Sequence, residues 1–435
     1  MKRFLQLFER FFRAFAEKSY IIVNMLTLLL VIIYVAFISL GLPDSVLGAA
    51  CPSMFELLGV PVGYAGIITM IIAGSTIVSS LASNFMNKKL GTGRIMVISV
   101  AVTAASLFGF SISSKFWHLC VLAVPYGLGA GGVDAGLNNY VALHYKPRHM
   151  SWLHCFWGVG TMIGPVVMSR FIASGGVWTQ GYRAISIFQM VLTGILVCSL
   201  PLWKKVEKVE AGRYGAAAPL EGGAEDTNVA EAGGRPSPSA NDVTLKSAIK
   251  NPGVISAVLT FLCYCAIESS VGFWATTYMV FARGLEINLA TSWAMLFYIG
   301  ITVGRFLNGF VSESFGDKNM IRFGAGLILF ALILMALPVL NKWVVFTSLI
   351  LAGLGCAPIY PCMIHSTPIR FGKENSQALI GLQMACAYTG STFCPPIFGI
   401  VVQKLSVSLL PFYGMLFIVL LIVLSENLNR VTKNC

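Results

Sequence analysis

Four charged residues lie deep inside long apolar stretches of this 435-residue sequence. Asp44 follows Pro43 in GLPDSVLGAA, and Asp134 lies in GLGAGGVDAGLNNY. Glu268 lies in YCAIESSVGFWATTYM, and Arg305 lies in GITVGRFLNGF. A charge near the centre of a bilayer costs at least ~2.5–3.5 kcal/mol, so residues of this kind are functional candidates by default. An acid that takes up a proton there loses its charge, which lowers the barrier to moving it through a low dielectric.

Asp134 has the setting that best suits a proton or a polar solute. The glycines around it let helices approach closely, and because they have no side chains they do little to shield its carboxylate. Asn138 is four residues further on and shares its helix face, and Asn139 follows directly. A carboxylate and an amide pointing into one space suit sugar hydroxyls or a titrating proton. We expect Asp134 and Asn138 to be functional; the alternative is a helix–helix hydrogen bond.

Asp44 lies past mid-membrane in its apolar stretch, and Pro43 before it removes a backbone donor and breaks the helix. Backbone groups freed in this way must face protein or water, so the break favours a cavity. We expect Asp44 to contact a proton or a substrate. The alternative is a residue that caps a helix turn near the outer end of its span.

Arg305 needs a buried partner, and Glu268 on the adjacent span is the simplest candidate. A structural ion pair and a proton-coupling pair predict the same two residues, so both interpretations stand. His154, in SWLHCFWGVGTMIGP, is about one turn from the end of its span as predicted. Its ordinary pKa of about 6.5 suits a proton relay, and the alternative is an interfacial polar residue.

Aromatic side chains near the centres of the spans are candidates for stacking on sugar faces, with packing as the alternative for each. They are Trp157, Trp274, Tyr278 and Tyr388. Gln383 adds a polar side chain that has no evident structural need.

The composition indicates a membrane bundle around these residues. Residues of the AVILMFWYC set make up 56% of the sequence, charged residues make up 11%, and the mean hydropathy is +0.78. This apolar fraction is larger than the core of a water-soluble fold can bury. Stretches of roughly 20 apolar residues predict an all-α membrane protein with twelve spans. They lie at 20–50, 62–85, 94–114, 117–144, 151–174, 182–203, 253–281, 289–311, 320–340, 342–368, 375–402 and 405–425.

The net charge of +12 reflects membrane topology rather than nucleic-acid binding. With the N-terminus in the cytoplasm, 23 of the 30 Lys and Arg residues fall on the cytoplasmic side and six on the other. This bias follows the positive-inside rule. It predicts a multi-pass protein of the plasma or inner membrane with both termini cytoplasmic.

The chain divides at a polar segment. Residues 204–252 are rich in Gly, Ala, Pro and acids and predict a flexible cytoplasmic linker between a half at 20–203 and a half at 253–425. Residues 1–19 predict an amphipathic helix on the membrane surface, and 426–435 a cytoplasmic tail. Weak internal similarity links the halves, because Cys155-Phe-Trp157 corresponds to Cys386-Ala-Tyr388 in order and spacing. Two related six-span halves are typical of transporters.

Signatures of other chemistry are missing from the sequence. It contains no C-x-x-C pair, no Walker A sequence and no H-E-x-x-H helix. We therefore expect no enzyme, no metal site and no cofactor, with the proton as the coupling ion.

The motifs resemble the major facilitator superfamily, specifically its fucose/glucose permease-like branch of sugar:proton symporters. GLPDSVLGAA is similar to the branch's first-span acid motif, and Asp134-x-x-x-Asn138-x-Tyr140 is similar to its fourth-span pattern. Trp274 and Tyr278 resemble its seventh-span G-x-W-x-x-x-Y. The resemblance implies proton and substrate roles for Asp44 and Asp134, and a cavity aromatic at Tyr360.

Together these observations predict a monomeric transporter that moves a small polar solute, a sugar, with protons by alternating access in the lipid bilayer. Gly160-x-x-x-Gly164-Pro165 also resembles part of a drug:proton antiporter motif. A proton-coupled exporter of drugs or metabolites is therefore the alternative. A receptor or scaffold of the same fold would not need intramembrane charges.

Overall fold

The computed structural model describes residues 25–60, 64–174, 177–215, 245–338 and 341–432. Within these ranges the protein is all-helical, and the predicted amphipathic helix at 1–19 lies outside them. The helices are α1 (25–44), α2 (Val46–Leu58), α3 (Ala65–Leu90), α4 (Thr92–Ser111), α5 (Phe116–His144), α6 (Pro147–Ala173), α7 (Trp178–Gly215), α8 (Leu245–Ile249), α9 (Val254–Phe281), α10 (Ile287–Phe315), α11 (Asp317–Ala336), α12 (Lys342–Phe371), α13 (Lys373–Lys404) and α14 (Leu410–Val431).

Twelve helical segments among the described residues are long and apolar enough to cross a membrane, which confirms the predicted number of spans. The first span combines α1 with the start of α2, and the short α8 is not a span. Several helices extend beyond the predicted ends of their spans. α7 continues to Gly215 and α14 to Val431, because Lys and Glu in KKVEKVE and the polar SENLNR segment are compatible with helix.

The same pairs of helices pack in each half of the chain. α3 and α4 both pack on α5, as α10 and α11 both pack on α12. α4 also packs on α7, as α11 packs on α14. Two loops at equivalent places have matching backbone angles, with φ of 75° at Gly91 and 74° at Gly316. The internal similarity of the sequence therefore corresponds to a repeated helix arrangement.

The first span breaks one residue after Asp44. Ser45 separates α1 from α2, as Pro43 predicts, and its hydroxyl donates a hydrogen bond of 2.7 Å to the Thr161 carbonyl of α6. Gly160 of α6 faces the backbone of α1 so closely that a Cβ atom there would collide with the Ile38 carbonyl. This close packing of α1 on α6 places Asp44 beside α6.

The two halves contact each other at one end of the bundle, which we call the basic end because Lys88, Lys89, Arg94 and Arg148 lie there. Asn87 Nδ2 donates to Gln377 Oε1 at 3.1 Å. Nearby, Ser376 Oγ donates to Asn139 Oδ1 at 2.5 Å and Asn308 Nδ2 to Ser151 Oγ at 2.6 Å. Lys146 and Arg148 pair with Glu313 at 3.3 and 3.2 Å.

At the opposite end, which we call the open end, the halves are separate in their packing. The larger apolar core cluster contains residues of both halves. A second cluster, which includes Leu42, Val46, Phe110 and Trp178, is confined to the N-terminal half near the open end. The bundle is therefore closed at the basic end and divided at the other.

Candidate functional site

A central cavity lies between the halves, and its volume is about 720 Å³ including its open mouth. Spans of both halves line it, and its polar walls carry three acids and one arginine. The lining residues are Phe37, Leu40, Asp44, Asp134, His154, Trp157, Cys265, Glu268, Ser269, Arg305, Tyr360, Ala387, Tyr388 and Ser391. Eight of the thirteen side chains singled out from the sequence are among them.

Asp134 accepts a hydrogen bond at each carboxylate oxygen. Asn138 Nδ2 donates to Oδ1 at 2.8 Å from one turn further along α5. The Tyr388 hydroxyl donates to Oδ2 at 2.8 Å from α13 in the other half. With 4% of its surface exposed, Asp134 is nearly dehydrated, so these two donors replace its water shell.

His154 lies deeper than the sequence suggested. α6 begins at Pro147, so His154 is about two turns inside the helix, 5% exposed, and on the cavity wall. Its Nε2 is 3.0 Å from Asn138 Oδ1, and because an amide oxygen only accepts, Nε2 carries the hydrogen. Its ring meets the Tyr360 ring edge-on with centroids 4.4 Å apart. This position does not fit an interfacial residue, and it links His154 to Asp134 through Asn138.

Asp44 lies at the open-end side of the cavity and is exposed to it. Trp157 Nε1 of α6 donates to its Oδ2 at 2.9 Å. Both residues belong to the N-terminal half, so this bond does not cross between the halves. The Asp44 side chain is exposed on the cavity wall, so its carboxylate can accept hydrogen bonds from a solute.

Arg305 pairs with Glu268 across α10 and α9, with Nη2 and Oε1 3.5 Å apart. Nη1 donates to the His154 carbonyl, also at 3.5 Å, and the guanidinium carbon is 5.7 Å from the centre of the Trp157 ring. Nε has no acceptor within hydrogen-bond distance among the described residues. Both hydrogen bonds are long, so the buried guanidinium retains capacity for an oxygen acceptor.

Three of the predicted polar side chains bind protein groups instead of lining the cavity. Asn139 accepts the hydrogen bond from Ser376 at the basic end, where it joins the two halves. Gln383 is 1% exposed and accepts from Thr367 Oγ1 at 3.0 Å. Asn138 is fully buried behind Asp134 and acts through it and His154. Direct contact of these three amides with a solute does not fit this geometry.

Trp274 and Tyr278 also lie away from the cavity wall. Trp274 Nε1 donates to the Pro395 carbonyl at 3.0 Å, which ties α9 to α13. The Tyr278 hydroxyl donates to the Met335 carbonyl at 2.5 Å and accepts from Arg283 Nε at 2.8 Å. Stacking of these two rings on a solute in this cavity does not fit their positions.

Several lining residues were missed by the sequence analysis. Phe37 and Leu40 precede Asp44 by two turns and one turn of α1, and Ser391 follows Tyr388 by one turn of α13. Helical spacing of three, four and seven residues from each predicted acid or aromatic would have found them. Cys265 precedes Glu268 by three residues and fits this spacing, whereas Ser269 follows Glu268 directly and does not.

The chemistry of the cavity suits a polyhydroxylated solute. Carboxylate oxygens of Asp44 and Asp134 accept hydrogen bonds, the Arg305 guanidinium donates them, and Trp157 and Tyr360 offer aromatic surface. Within the described ranges, no group of three or more His, Cys, Asp or Glu side chains is placed to hold a metal ion.

The sequence matches the family model of the Major Facilitator Superfamily over residues 33–362 and 286–428. Bypass of stop codon protein 6 of Saccharomyces cerevisiae is 23% identical over 310 residues, which cover 69% of this chain and 60% of that protein. The glucose/mannose transporter GlcP of Bacillus subtilis is 22% identical over 343 residues, covering 78% of this chain and 80% of the relative. The chain thus spans about 60% of the length of the yeast relative.

The fold is similar to that of FucP, the fucose:proton symporter of E. coli, solved in an outward conformation. The TM-score is 0.67 at 12% sequence identity, and the match covers 91% of this chain and 97% of that chain. The predicted fold class, twelve membrane-spanning helices in the major facilitator arrangement, is confirmed.

Proposed function

The chain belongs to the major facilitator superfamily, and from that premise we propose that it is a sugar:proton symporter whose solute binds in the central cavity. It is a secondary transporter and not an enzyme. The observation that carries the proposal is the pair of membrane-embedded acids, Asp44 and Asp134, on one cavity between the halves. Each carboxylate is held by an aromatic donor, Trp157 at 2.9 Å and Tyr388 at 2.8 Å.

The polar walls support a neutral polyol as the solute class. Sugar hydroxyls both donate and accept, and the cavity offers acceptors at Asp44 and donors at Arg305. A cation would leave Arg305 facing a like charge, and an anion would face the acids. The distant relative named as a glucose/mannose transporter adds support for a hexose.

The placement of charge supports an orientation. We assign the basic end to the cytoplasm by the positive-inside rule, so the cavity described here opens outward. The halves at 20–203 and 253–425 rock about the cavity, and the linker at 204–252 and both termini lie in the cytoplasm. The membrane is the plasma or inner membrane, and the unit of transport is a monomer in the lipid bilayer.

In this scheme a proton and a sugar enter the cavity from outside before the halves move. The proton neutralises a cavity acid, and the sugar hydroxyls form hydrogen bonds with the polar side chains of the cavity. Protonation removes the charge of an acid in a low-dielectric setting, which lowers the cost of reorientation. His154 donates to Asn138 and Asn138 donates to Asp134, so both hydrogen bonds point toward the Asp134 carboxylate and hold it in position. Glu268 and Arg305 form the remaining charged pair of the site.

The decisive test is the direction of proton movement. Adding D-glucose or D-mannose to de-energised vesicles that contain the protein should alkalinise the external medium, because each sugar carries a proton inward. A protonophore should abolish the signal, and vesicles without protein serve as the control. Sugar-driven release of protons from loaded vesicles would instead support the exporter, and no response to any sugar would contradict the proposed solute class.

A further inference from the structure

The hydrogen bond between Tyr388 and Asp134 joins the two halves of the protein in the wall of the cavity. We propose that this bond is a proton-sensitive latch: it holds the basic end closed while Asp134 is ionised, and proton uptake weakens it. Tyr388 is then a positioning residue for transport that acts through Asp134. The inference rests on the proposed proton coupling and assigns that coupling a place in the structure.

The position of the bond suits a latch. Ser376 and Gln377 make hydrogen bonds to the N-terminal half near the start of α13. Tyr388 lies twelve residues further along the same helix, about 18 Å at 1.5 Å per residue. Both residues of the bond line the cavity. The Asp134–Tyr388 bond therefore lies between the hydrogen bonds that close the basic end and the open-end side of the cavity.

The chemistry of the bond makes it sensitive to charge. A phenol hydroxyl that donates to a carboxylate forms a charge-assisted hydrogen bond, roughly twice as strong as one between neutral groups. Protonation of Asp134 converts it to the weaker kind. The second donor, Asn138, lies on α5 itself and moves with Asp134, so only the bond to Tyr388 registers movement between the halves.

A matched bond within one half gives an internal comparison. Trp157 donates to Asp44 with similar length, but α6 and α1 belong to the same half and pack tightly. Trp157 and Tyr388 also occupy corresponding positions in the two halves. Weakening the Trp157 bond to Asp44 therefore releases no hydrogen bond between the halves, whereas weakening the Tyr388 bond does.

The other charged and titratable groups around Asp134 differ from it in their contacts between the halves. The His154 ring meets Tyr360 of the other half edge-on, but its hydrogen bond goes to Asn138 in its own half. The cavity brings Asp44 from α1, His154 from α6, Cys265 and Glu268 from α9, Arg305 from α10 and Tyr360 from α12. Glu268 pairs with Arg305 within the C-terminal half, and Asp44 accepts its hydrogen bond from Trp157 within the N-terminal half. Arg305 crosses to the His154 carbonyl, but its guanidinium stays charged at every relevant pH.

Glu313 is a further titratable group in contact with the other half, through Lys146 and Arg148 at the basic end. These ion pairs are partly exposed, so each contributes little to closure. A Glu313→Gln background removes their titration from the measurement.

The latch fits the symport cycle in both directions. In the loaded protein Asp134 is protonated, the bond is weak, and the basic end opens. After the proton leaves into the cytoplasm, the ionised acid regains its bond to Tyr388 and favours return of the empty protein to the outward-open state.

The test measures closure directly and needs no solute. Spin labels attached through a non-canonical amino acid at Lys89 and Asn319, exposed positions at the basic ends of α3 and α11, report the distance between the halves. In Glu313→Gln protein in nanodiscs, lowering the pH from about 8 to about 5 should shift the ratio of closed to open basic ends by about tenfold, the ratio expected when a hydrogen bond to a charged group becomes one between neutral groups.

Substitutions of Tyr388 and Asp134 then show whether the pH response of the basic end depends on the hydrogen bond between them. Tyr388→Phe and Asp134→Asn should each open the basic end at high pH and flatten the pH profile, and the double variant should match either single one. Tyr413→Phe, which removes a hydroxyl that donates to the Cys394 carbonyl within the C-terminal half, should keep the profile of its parent. A Tyr388→Phe protein with the parent's pH response, or additive effects in the double variant, would overturn the latch. Failure of the sugar experiment with an intact pH profile would instead contradict only the proposed solute.

Discussion

At the scale of single residues, Asp44 and Asp134 differ in how many hydrogen bonds their carboxylates already accept from the protein. Asp134 is nearly buried, and both of its oxygens accept hydrogen bonds from protein. Asp44 is exposed to the cavity and has one such bond, from Trp157. Under the proposed function, we therefore expect a solute hydroxyl to bind Asp44 and the proton to bind Asp134.

We expect Asp134→Asn to separate exchange from accumulation. The amide mimics the protonated acid in nearly the same volume, so the variant should still exchange labelled for unlabelled sugar. It should lose uptake against a gradient, because the proton can no longer leave. Counterflow and proton-driven uptake in the same vesicles measure both properties. Full concentrative uptake by Asp134→Asn would move the proton site elsewhere.

The comparison variant is Asp44→Asn. It should weaken sugar binding by about tenfold, because a hydrogen bond to a charged acceptor is lost, and exchange should fall with it. If Asp44→Asn instead behaves like the expected Asp134→Asn, the two acids share the proton.

At the scale of helices, the close approach of α1 and α6 holds Trp157 over Asp44. Gly160 lies one turn after Trp157, and it leaves no room for a Cβ atom against the Ile38 carbonyl and the Leu42 amide of α1. The atoms closest to Gly160 belong to the backbone of α1, so no rotation of a side chain could relieve a collision with an added Cβ atom. The separation of these helices is therefore set by the absence of a side chain at this position.

We expect Gly160→Ala to destabilise the protein by about 1–3 kcal/mol, the usual cost of overpacking. It should also weaken sugar binding, because α1 must move away from Trp157. Gly194→Ala in α7 is the matched control, since a Cβ there meets no atom within 4 Å and alanine favours helix. Thermal unfolding and counterflow of both variants give the comparison. Equal melting temperatures for the two variants would show that α1 does not depend on this contact.

At the scale of the whole molecule, closure of the basic end determines which side the cavity faces. Gly381 of α13 packs against the Ser80 carbonyl and the Ser83 hydroxyl of α3, a contact between the halves. The hydrogen bonds and ion pairs of the basic end surround it. A side chain at Gly381 would therefore separate the halves without touching the cavity.

Gly381→Val should shift the population toward an open basic end, seen as a longer distance between labels at Lys89 and Asn319. Gly326→Val in α11, where a Cβ meets no atom within 4 Å, should leave the distance unchanged. An unaltered distance in Gly381→Val would mean that the contact is not part of closure.

Much of this architecture could be predicted from the sequence, because the relevant properties are local. Twelve apolar stretches of sufficient length predict twelve spans, and the cost of a charge in the bilayer identifies Asp44, Asp134, Glu268 and Arg305. Each of these four lines the cavity. The partner of Arg305 could also be named, since its span is adjacent to that of Glu268.

The tertiary structure alone decided which side chains of the two halves meet. Tyr388 and Asp134 are 254 residues apart in the chain, and their bond exists because α13 and α5, which belong to different halves, pack against each other. The same packing turns Gln383, Trp274 and Tyr278 away from the cavity, although their spans line it. Hydropathy sets the depth of a residue in the membrane, but the rotation of its helix depends on contacts with every neighbouring helix, which no single stretch of sequence contains.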